Sequence, residues 1–451
     1  MVWNKSYEQY EDSGVEWIGE VPKGWGTGGL TKYVSSIVDY RGKTPEKVDE
    51  GVFLVTAKNI KTGKIDYSLS QEFVRSDEYE IIMRRGIPDI GDVVFTTEAP
   101  LGEVANIDRT DIALAQRVIK FRGIENVLNN YYLKYWMMSK GFQDNLQTFA
   151  TGSTATGIKA SKLSKLLVLL PTYNEQIQVA TFLDEKTAEI DSLIADKEKL
   201  ITLLEEQRKV IITKAVTKGV NPDAKMKDSG VEWIEEIPEK WEIKKITFLG
   251  RLQNGISKSS EEFGFGYPFV SYGDVYRNME LPHEVIGLVN STQVDRNIYS
   301  VQKGDIFFTR TSETIEEIGF ASTCLKTLED ATFAGFLIRF RPSTNKLLPN
   351  YAKYFFRSEL GRRYFVKEMN LVTRASLGQD LLKNFPVILP PLEEQEQIAD
   401  FLDFEMNKNI EIISSLKEQV SLLKEYRQSL IFEAVTGKID VRDAAAEVVT
   451  S

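Results

Sequence analysis

A block of fourteen residues recurs in this chain. Asp12-Ser13-Gly14-Val15-Glu16-Trp17-Ile18-Gly19-Glu20-Val21-Pro22-Lys23-Gly24-Trp25 returns as Asp228-Ser229-Gly230-Val231-Glu232-Trp233-Ile234-Glu235-Glu236-Ile237-Pro238-Glu239-Lys240-Trp241, with ten of the fourteen positions identical and both tryptophans kept. A repeat constrains architecture before any residue is interpreted, because each copy has to build the same local structure. Further blocks match at an offset of 219: Leu170-Pro171-Thr172-Tyr173-Asn174-Glu175-Gln176 with Leu389-Pro390-Pro391-Leu392-Glu393-Glu394-Gln395, Phe182-Leu183-Asp184 with Phe401-Leu402-Asp403, and Ala215-Val216-Thr217 with Ala434-Val435-Thr436.

Between the blocks only a skeleton survives. Gly91-Asp92-Val93-Val94-Phe95-Thr96 stands beside Gly304-Asp305-Ile306-Phe307-Phe308-Thr309, and Lys120-Phe121-Arg122 beside Arg339-Phe340-Arg341. The frame is alike and the middle differs. Two modules doing one job on different ligands give this contrast; drift in exposed loops is the rival explanation and stays open.

Composition removes several function classes. With one cysteine, Cys324, and one histidine, His283, zinc sites, Cys–His dyads and Ser–His–Asp triads are hard to build. His283, in Leu281-Pro282-His283-Glu284, reads as a surface residue, and the lone cysteine fits a reducing, cytoplasmic location. No run of eighteen apolar residues exists, and Met1-Val2-Trp3-Asn4-Lys5 lacks the apolar core of a secretory signal. The net charge is −10, but it is segregated: residues 27–172 and 243–391 carry a slight positive excess, while 1–26, 173–242 and 392–451 hold the acid. A polyanionic ligand is therefore permitted although composition does not suggest one.

The middle segments read as strands: Gly51–Val55, Asp92–Thr96 and Arg117–Phe121 are short, β-branched or aromatic, and punctuated by Gly, Asn and Asp. A helical stretch follows near Tyr131–Lys140, and near Tyr351–Arg363 in the second copy. After Pro171 and Pro391 the period changes. Ile190, Ile194, Lys197, Ile201, Leu204, Arg208, Ile211 and Ala215 alternate four and three apart, as do Ile413, Leu416, Val420, Leu423, Arg427, Leu430 and Ala434. This is a coiled-coil seam on helices of roughly 40 residues, about 60 Å long. A long helix with one apolar stripe needs a partner, and the economical partner is the matching helix of the other copy. Arg208 and Arg427 share one seam position, where a polar residue fixes register or contacts a ligand.

The expected fold is α+β: two tandem pseudo-symmetric repeats, each a curved antiparallel sheet with helices followed by a long helix, the long helices pairing as an antiparallel coiled coil. The divisions fall at 1–172, 173–220, 221–391, 392–440 and a C-terminal tail, 441–451. Trp17/Trp233 and Trp25/Trp241 read as packing between module and helix.

Four motifs imitate catalytic sites. Gly152–Lys159 resembles a phosphate-binding loop but has Ile158 where the lysine belongs, and Arg41-Gly42-Lys43-Thr44 lacks the first glycine, Ile37 standing in its place. Phe263-Gly264-Phe265-Gly266-Tyr267 imitates an S-adenosylmethionine turn without the strand and helix around it, and no Asn-Pro-Pro-Tyr or Asp-Pro-Pro-Tyr motif accompanies it. Asp223, Glu242 and Lys244 fit a loose magnesium-nuclease pattern that the first repeat does not reproduce.

Two divergent modules, each followed by a long helix entered through Leu-Pro-x-x-x-Glu-Gln, resemble the specificity subunit of type I restriction–modification systems. Asp12–Trp25, Asp228–Trp241, Leu170–Gln176, Leu389–Gln395 and the two Phe-Leu-Asp triplets carry the resemblance, which spans nearly the whole chain. Asn174 departs from the usual Glu. The resemblance implies two target recognition domains reading double-stranded DNA and an antiparallel helix pair that sets the distance between half-sites. It also implies two modification subunits and two restriction subunits as partners, with S-adenosylmethionine, ATP and magnesium on those partners and none bound by this chain.

Base reading needs Arg, Lys, Asn and Gln at base edges, with other basic and hydroxyl groups on phosphates. Candidates in the first module are Arg41, Lys43, Thr44, Lys58, Asn59, Lys61, Thr97, Ser153, Thr154 and Lys159. In the second they are Ser257, Lys258, Asp274, Arg277, Asn278, Arg310, Thr311 and Arg374. The expected seam is Ile194, Ile201, Leu204, Arg208 and Ile211 against Ile413, Leu416, Val420, Leu423, Arg427 and Leu430. Two other readings stay open: a coiled-coil scaffold without a DNA role, and a self-contained nuclease built on Asp223, Glu242 and Lys244.

Overall fold

The computed structural model describes residues 5–40, 45–151, 156–312, 318–368 and 375–443. The chain forms two compact units, Met1–Glu198 with Glu418–Ser451, and Lys199–Lys417. The first long helix runs Tyr173–Lys218 and the second Leu392–Val435, so each unit holds one head, the start of one long helix and the end of the other.

The first head is built on β1 (Val34–Asp39), β2 (Val93–Thr97), β3 (Leu101–Asn106) and β4 (Val118–Gly123), in the antiparallel order β3-β2-β4-β1. The second uses β5 (Gly250–Asn254), β6 (Ile306–Thr309), β7 (Ala321–Thr323) and β8 (Leu337–Pro342), in the matching order β7-β6-β8-β5. Every residue of β2 and β6 is buried, which is why both read as unbroken β-branched and aromatic runs rather than as alternating strands. Register shifts at Phe95/Thr97 and Arg122/Gly123 curve the first sheet.

Two features go beyond the expected antiparallel sheet and helix. Beside each central sheet a second one contains a parallel pair, Val52–Val55 with Ile112–Leu114 and Phe269–Val270 with Thr332–Phe333. Parallel neighbours need a long crossover, which the intervening sequence supplies. The single helix expected after β4 is two, Asn130–Met138 and Lys140–Thr148, and its counterpart is Pro349–Arg357 and Glu359–Glu368. A serine makes each break. Ser139 and Ser358 donate through Oγ to the carbonyls of Trp136 and Phe355 at 2.7 and 2.6 Å. Hydroxyl bonds back to the preceding turn compete with the helical ladder.

The residues repeated between the copies do structural work. The Gln176 amide accepts from the Asn129 N–H at 2.8 Å and donates to the carbonyls of Val127 and Pro171; Gln395 does the same with Leu348, Lys346 and Pro390. Both glutamines are fully buried, so each must satisfy all these bonds internally. Asp184 receives Lys134 Nζ and Tyr135 OH at 2.8 and 2.7 Å, and Asp403 receives Lys353 Nζ and Tyr354 OH at 2.8 and 2.5 Å. Tyr132 and Tyr351 each donate toward two carbonyls, Leu169 and Val435 for one, Ile388 and Val216 for the other. Head and long helices are thereby locked together in both units.

The tryptophans behave as expected. Trp25 and Trp241 are buried, and their indole N–H groups point to Glu175 and Glu394 of the Leu-Pro-x-x-x-Glu-Gln blocks, at 3.5 and 2.7 Å. Their rings lie under Gly437 and Gly219, which have φ of +69° and +75°. A Cβ would stand 3.0 Å from the Trp25 ring and 3.2 Å from that of Trp241. Glycine is needed at these helix ends for both conformation and close approach.

Within each unit the two long helices lie alongside. In the first, Arg427 donates through Nε to Asp191 at 2.8 Å, Lys424 reaches Glu198 at 3.0 Å, and Lys197 donates to Gln419 at 2.7 Å. In the second, Asn409 donates to the Leu204 carbonyl at 3.4 Å. The start of each helix thus meets the end of the other, which is antiparallel pairing. Ile194, Leu416, Val420, Arg427 and Leu430 are buried, and Ile201, Leu204, Arg208, Ile211, Ile413 and Leu423 half-buried, so the expected seam is the covered stripe. It extends beyond the reading through Leu402, Met406 and Asn409. Arg427 and Arg208 are not equivalent. Arg427 has a carboxylate, whereas the position matching Asp191 in the second copy is the exposed Ile410. Arg208 instead acts electrostatically on Tyr354 and Arg357.

Candidate nucleic-acid interface

Both sheets are anchored at one end by a buried ion cluster. Asp92, 1% exposed, lies 2.9 Å from Lys120 Nζ and 2.7 Å from Arg122 Nε. Burial opposes its charge, but bonds from Arg122, the Asp89 N–H and Lys120 prevail and hold the carboxyl below its usual range. In the second head Arg341 forks onto Asp305 with both bonds at 2.6 Å. Arg339 fills the place of Lys120, and burial lowers its pKa to about 10 against the pull of Asp305. The Lys-Phe-Arg and Arg-Phe-Arg skeletons therefore serve as ion clusters on the buried carboxylates Asp92 and Asp305.

The opposite end of each sheet is open and made of loops. In the first head β2 ends at Thr97, whose N–H donates to the Arg117 carbonyl at 2.9 Å and whose carbonyl accepts from the Ile158 N–H at 3.0 Å. Lys58 follows strand Val52–Val55 at this end and lines a cavity of about 290 Å³ with Thr56, Ala99, Gln116 and Arg117. Arg117 is exposed and paired with Glu98 at 2.9 Å. Lys159 is exposed one residue past Ile158.

The second head repeats the plan. Arg310 follows β6, its N–H donating to the Phe336 carbonyl at 3.0 Å and its carbonyl accepting from the Leu377 N–H at 2.7 Å. The loop after β5 joins them: the Ile256 N–H donates to the Phe333 carbonyl, and a Cβ on Gly335 would meet Ser257 Oγ at 2.6 Å. Gln379 donates to Asn254 at 2.9 Å. Lys258 lies near Asp295 and Glu262, and Arg296 sits 3.6 Å over the Tyr267 ring.

Lys58 and Lys159 thus both lie at one end of the first head, and Ser257, Lys258 and Arg310 at the matching end of the second. Thr311 pairs its backbone with Ser376 there. Arg41, Lys43, Thr44, Ser153, Thr154 and Arg374 lie outside the described residues. The structure gives other employment to several expected contacts. Asn59 is buried, its amide holding Thr56, Asp66 and Ser70, and Thr97 is buried with Oγ1 on the Arg117 carbonyl. Lys61 is exposed on a hairpin beside Ala105, whose Thr62 carbonyl meets Arg427. Asp274 forms a capping box with Ser271, Asn278 donates to the Asp274 carbonyl, and Arg277 folds onto the Gly273 carbonyl from the exposed end of that short helix. Short polar residues after a strand read equally well as caps and as ligand contacts, and here capping won.

Arg117 and Phe336 also stand at these open ends and were not expected there; the sequence offers their matched place, three residues before the Lys-Phe-Arg and Arg-Phe-Arg triplets, but no sign that their side chains face outward. Of the false leads, Glu242 is ion-paired with Lys244 at 3.1 Å on an exposed strand, and the Asp223 N–H is bound to the Asn221 side chain. No group of three or more His, Cys, Asp or Glu among the described residues could hold a metal, and no described helix is long and apolar enough to cross a membrane. Burial pushes the Cys324 thiol up to about 12.

The family described as type I restriction modification DNA specificity domain matches residues 47–203 and 238–422. The type I restriction enzyme EcoKI specificity subunit of Escherichia coli (strain K12) is 24% identical over 439 residues, covering 91% of this chain and 90% of that protein. The StySPI specificity subunit of Salmonella potsdam is 22% identical, with the same coverage. Among solved structures, a chain from a study of complex assembly and conformational transition of the type I R-M system aligns with a TM-score of 0.71. It is 17% identical and covers 92% of this chain and 99% of that one. The HsdS subunit from Thermoanaerobacter tengcongensis aligns with a TM-score of 0.53 at 17% identity, covering 92% and 98%. With a family match in each repeat and two heads of one strand order, the chain belongs to the specificity subunits of type I restriction–modification systems.

Proposed function

We propose that this chain is the non-catalytic recognition subunit of a type I restriction–modification complex in the cytoplasm, reading a bipartite, asymmetric DNA site. Each head reads one half through the loops at the open end of its sheet, and the paired helices set the distance between halves. One observation carries the reading: two heads share strand order, anchoring ion cluster and loop-end hydrogen bonds, yet present different side chains at the open end. Fixed scaffolds with exchanged tips suit one task performed on two sequences.

Partner docking is read from a second duplication. In the first unit a groove of about 920 Å³ lies between Trp17, the Lys140–Thr148 helix and the end of the second long helix at Gln428 and Phe432. In the second, one of about 460 Å³ lies between Trp233, Leu360 and Arg363 and the end of the first long helix at Lys209 and Thr213. Two grooves of one construction fit two copies of one partner, the modification subunit. The restriction subunits join through that assembly, and S-adenosylmethionine, ATP and magnesium are held by the partners.

The test is methylation mapping of genomic DNA from cells with and without this gene. A split, asymmetric motif that disappears with the gene supports the reading; identical methylation in both contradicts it.

A further inference from the structure

One tight turn is built identically in the two heads and carries opposite chemistry. It is Ala115-Gln116-Arg117-Val118 in the first and Ala334-Gly335-Phe336-Leu337 in the second. The Ala115 N–H donates to the Val55 carbonyl at 2.9 Å, and the Ala334 N–H to that of Val270 at 3.0 Å. The turn closes through Val118 N–H to Ala115 carbonyl at 3.1 Å, and through Leu337 N–H to Ala334 carbonyl at 2.9 Å. The third residue's carbonyl is then fixed by the strand beside it, through Thr97 for Arg117 and Arg310 for Phe336.

Ala115, Val118, Ala334 and Leu337 around the third position are buried, while the third side chain is exposed. Phe336 is 64% exposed. Single exposed apolar residues are ordinary on protein surfaces, and Phe248, at 70%, is one. Phe248 also has an exposed cation, Lys32, at the matching station of the first copy, but it lies at the ion-cluster end of its sheet, where the next residue, Leu249, accepts from the Ser343 N–H. Arg117 and Phe336 differ from that pair by standing at the open loop end, Arg117 on the cavity that Lys58 lines and Phe336 between Gly335, which abuts Ser257, and the Arg310 N–H. A backbone held in both heads at that end, with a cation exchanged for an aromatic ring at its tip, is what a reading position requires.

Resting on the DNA-recognition reading above, we propose that the third residue of this turn, Arg117 in one head and Phe336 in the other, determines specificity in its half-site. Arg117, released from Glu98, donates to an acceptor pair on a base edge, for which guanine N7 and O6 are the natural match. Phe336 makes an apolar contact, for which the thymine methyl is the natural match. A preformed turn spares the ordering cost that a flexible loop would incur.

The experiment reads the methylated motif in cells carrying the full-length wild-type chain, R117A, F336A or the control F248A, with purified complexes then titrated against the motif duplex and single-base variants. R117A is expected to lose discrimination at a position in one half-site by about tenfold to a hundredfold, the worth of a bidentate pair. F336A should lose discrimination at a position in the other half, and F248A should match wild type. Both substituted side chains are exposed, so unchanged melting temperatures are expected alongside. An unchanged motif in R117A and F336A, both acting on one half, or F248A behaving like F336A would overturn the proposal while leaving the DNA-recognition reading intact. A wild-type chain that yields no motif would overturn both.

Discussion

Asp92 is 1% exposed, and Lys120 is 2% exposed beside it. Removing one partner of such a pair leaves an uncompensated buried charge, which costs about 3–5 kcal/mol. Asp92→Asn should therefore lower the stability of the first unit by that order, measured by chemical denaturation. The sign of the pH effect follows from the depressed carboxyl. Its stabilisation is present above the unfolded carboxylate value, near 3.9, and is lost as pH falls through the folded value. The difference between wild type and Asp92→Asn should hold at pH 7 and shrink below about pH 4. Gln176→Ala, which orphans the Asn129 N–H and two carbonyls, should cost about 1–3 kcal/mol by the same measurement. Residues of this kind were legible as repeats, but their roles were not. Spacing shows that Gln176 and Gln395 recur, whereas only the fold shows which carbonyls they hold. Asn59 and Asp274 illustrate the converse, because a polar residue in a loop carries the same sequence signal whether it faces a ligand or its own backbone.

At the scale of elements, the helix seam was the most legible feature, since its spacing of four and three survives any drift in outward-facing residues. The strands of the central sheets were legible through their buried runs. The parallel pairs were not, because pairing partners far apart in sequence leave no local trace. Asn409 interrupts the seam, buried with an Oδ1 that has no partner among the described residues. Replacing it by leucine removes an unsatisfied polar atom, so Asn409→Leu should raise stability by about 1 kcal/mol, seen as a higher Tm. Polar seam residues hold register at a cost in stability, and the same variant should pair its helices less selectively. Deleting one heptad from each helix at matched positions removes about 10 Å from each. The spacer in the recognised motif should shorten accordingly, and an unchanged spacer would contradict the role given to the helices.

For the molecule as a whole, the duplication separates what is held constant from what varies. The constant part comprises the Trp–Glu contacts, the Gln brackets and the buried carboxylates of the ion clusters; the variable part includes the loops at the open ends of the sheets. This division was visible in the sequence as matched blocks around unmatched middles. Which middle residues face outward was not visible, because turn residues such as Arg117 and Phe336 sit next to strands and read as part of them. If the heads are independent readers on a common frame, they should be exchangeable one at a time. The most direct measurement is the methylated motif of a chain whose residues 27–150 are replaced by the corresponding segment of another specificity subunit. One half of the motif should change while the other half stays as in the parent. Alteration of both halves, or of neither, would contradict the account.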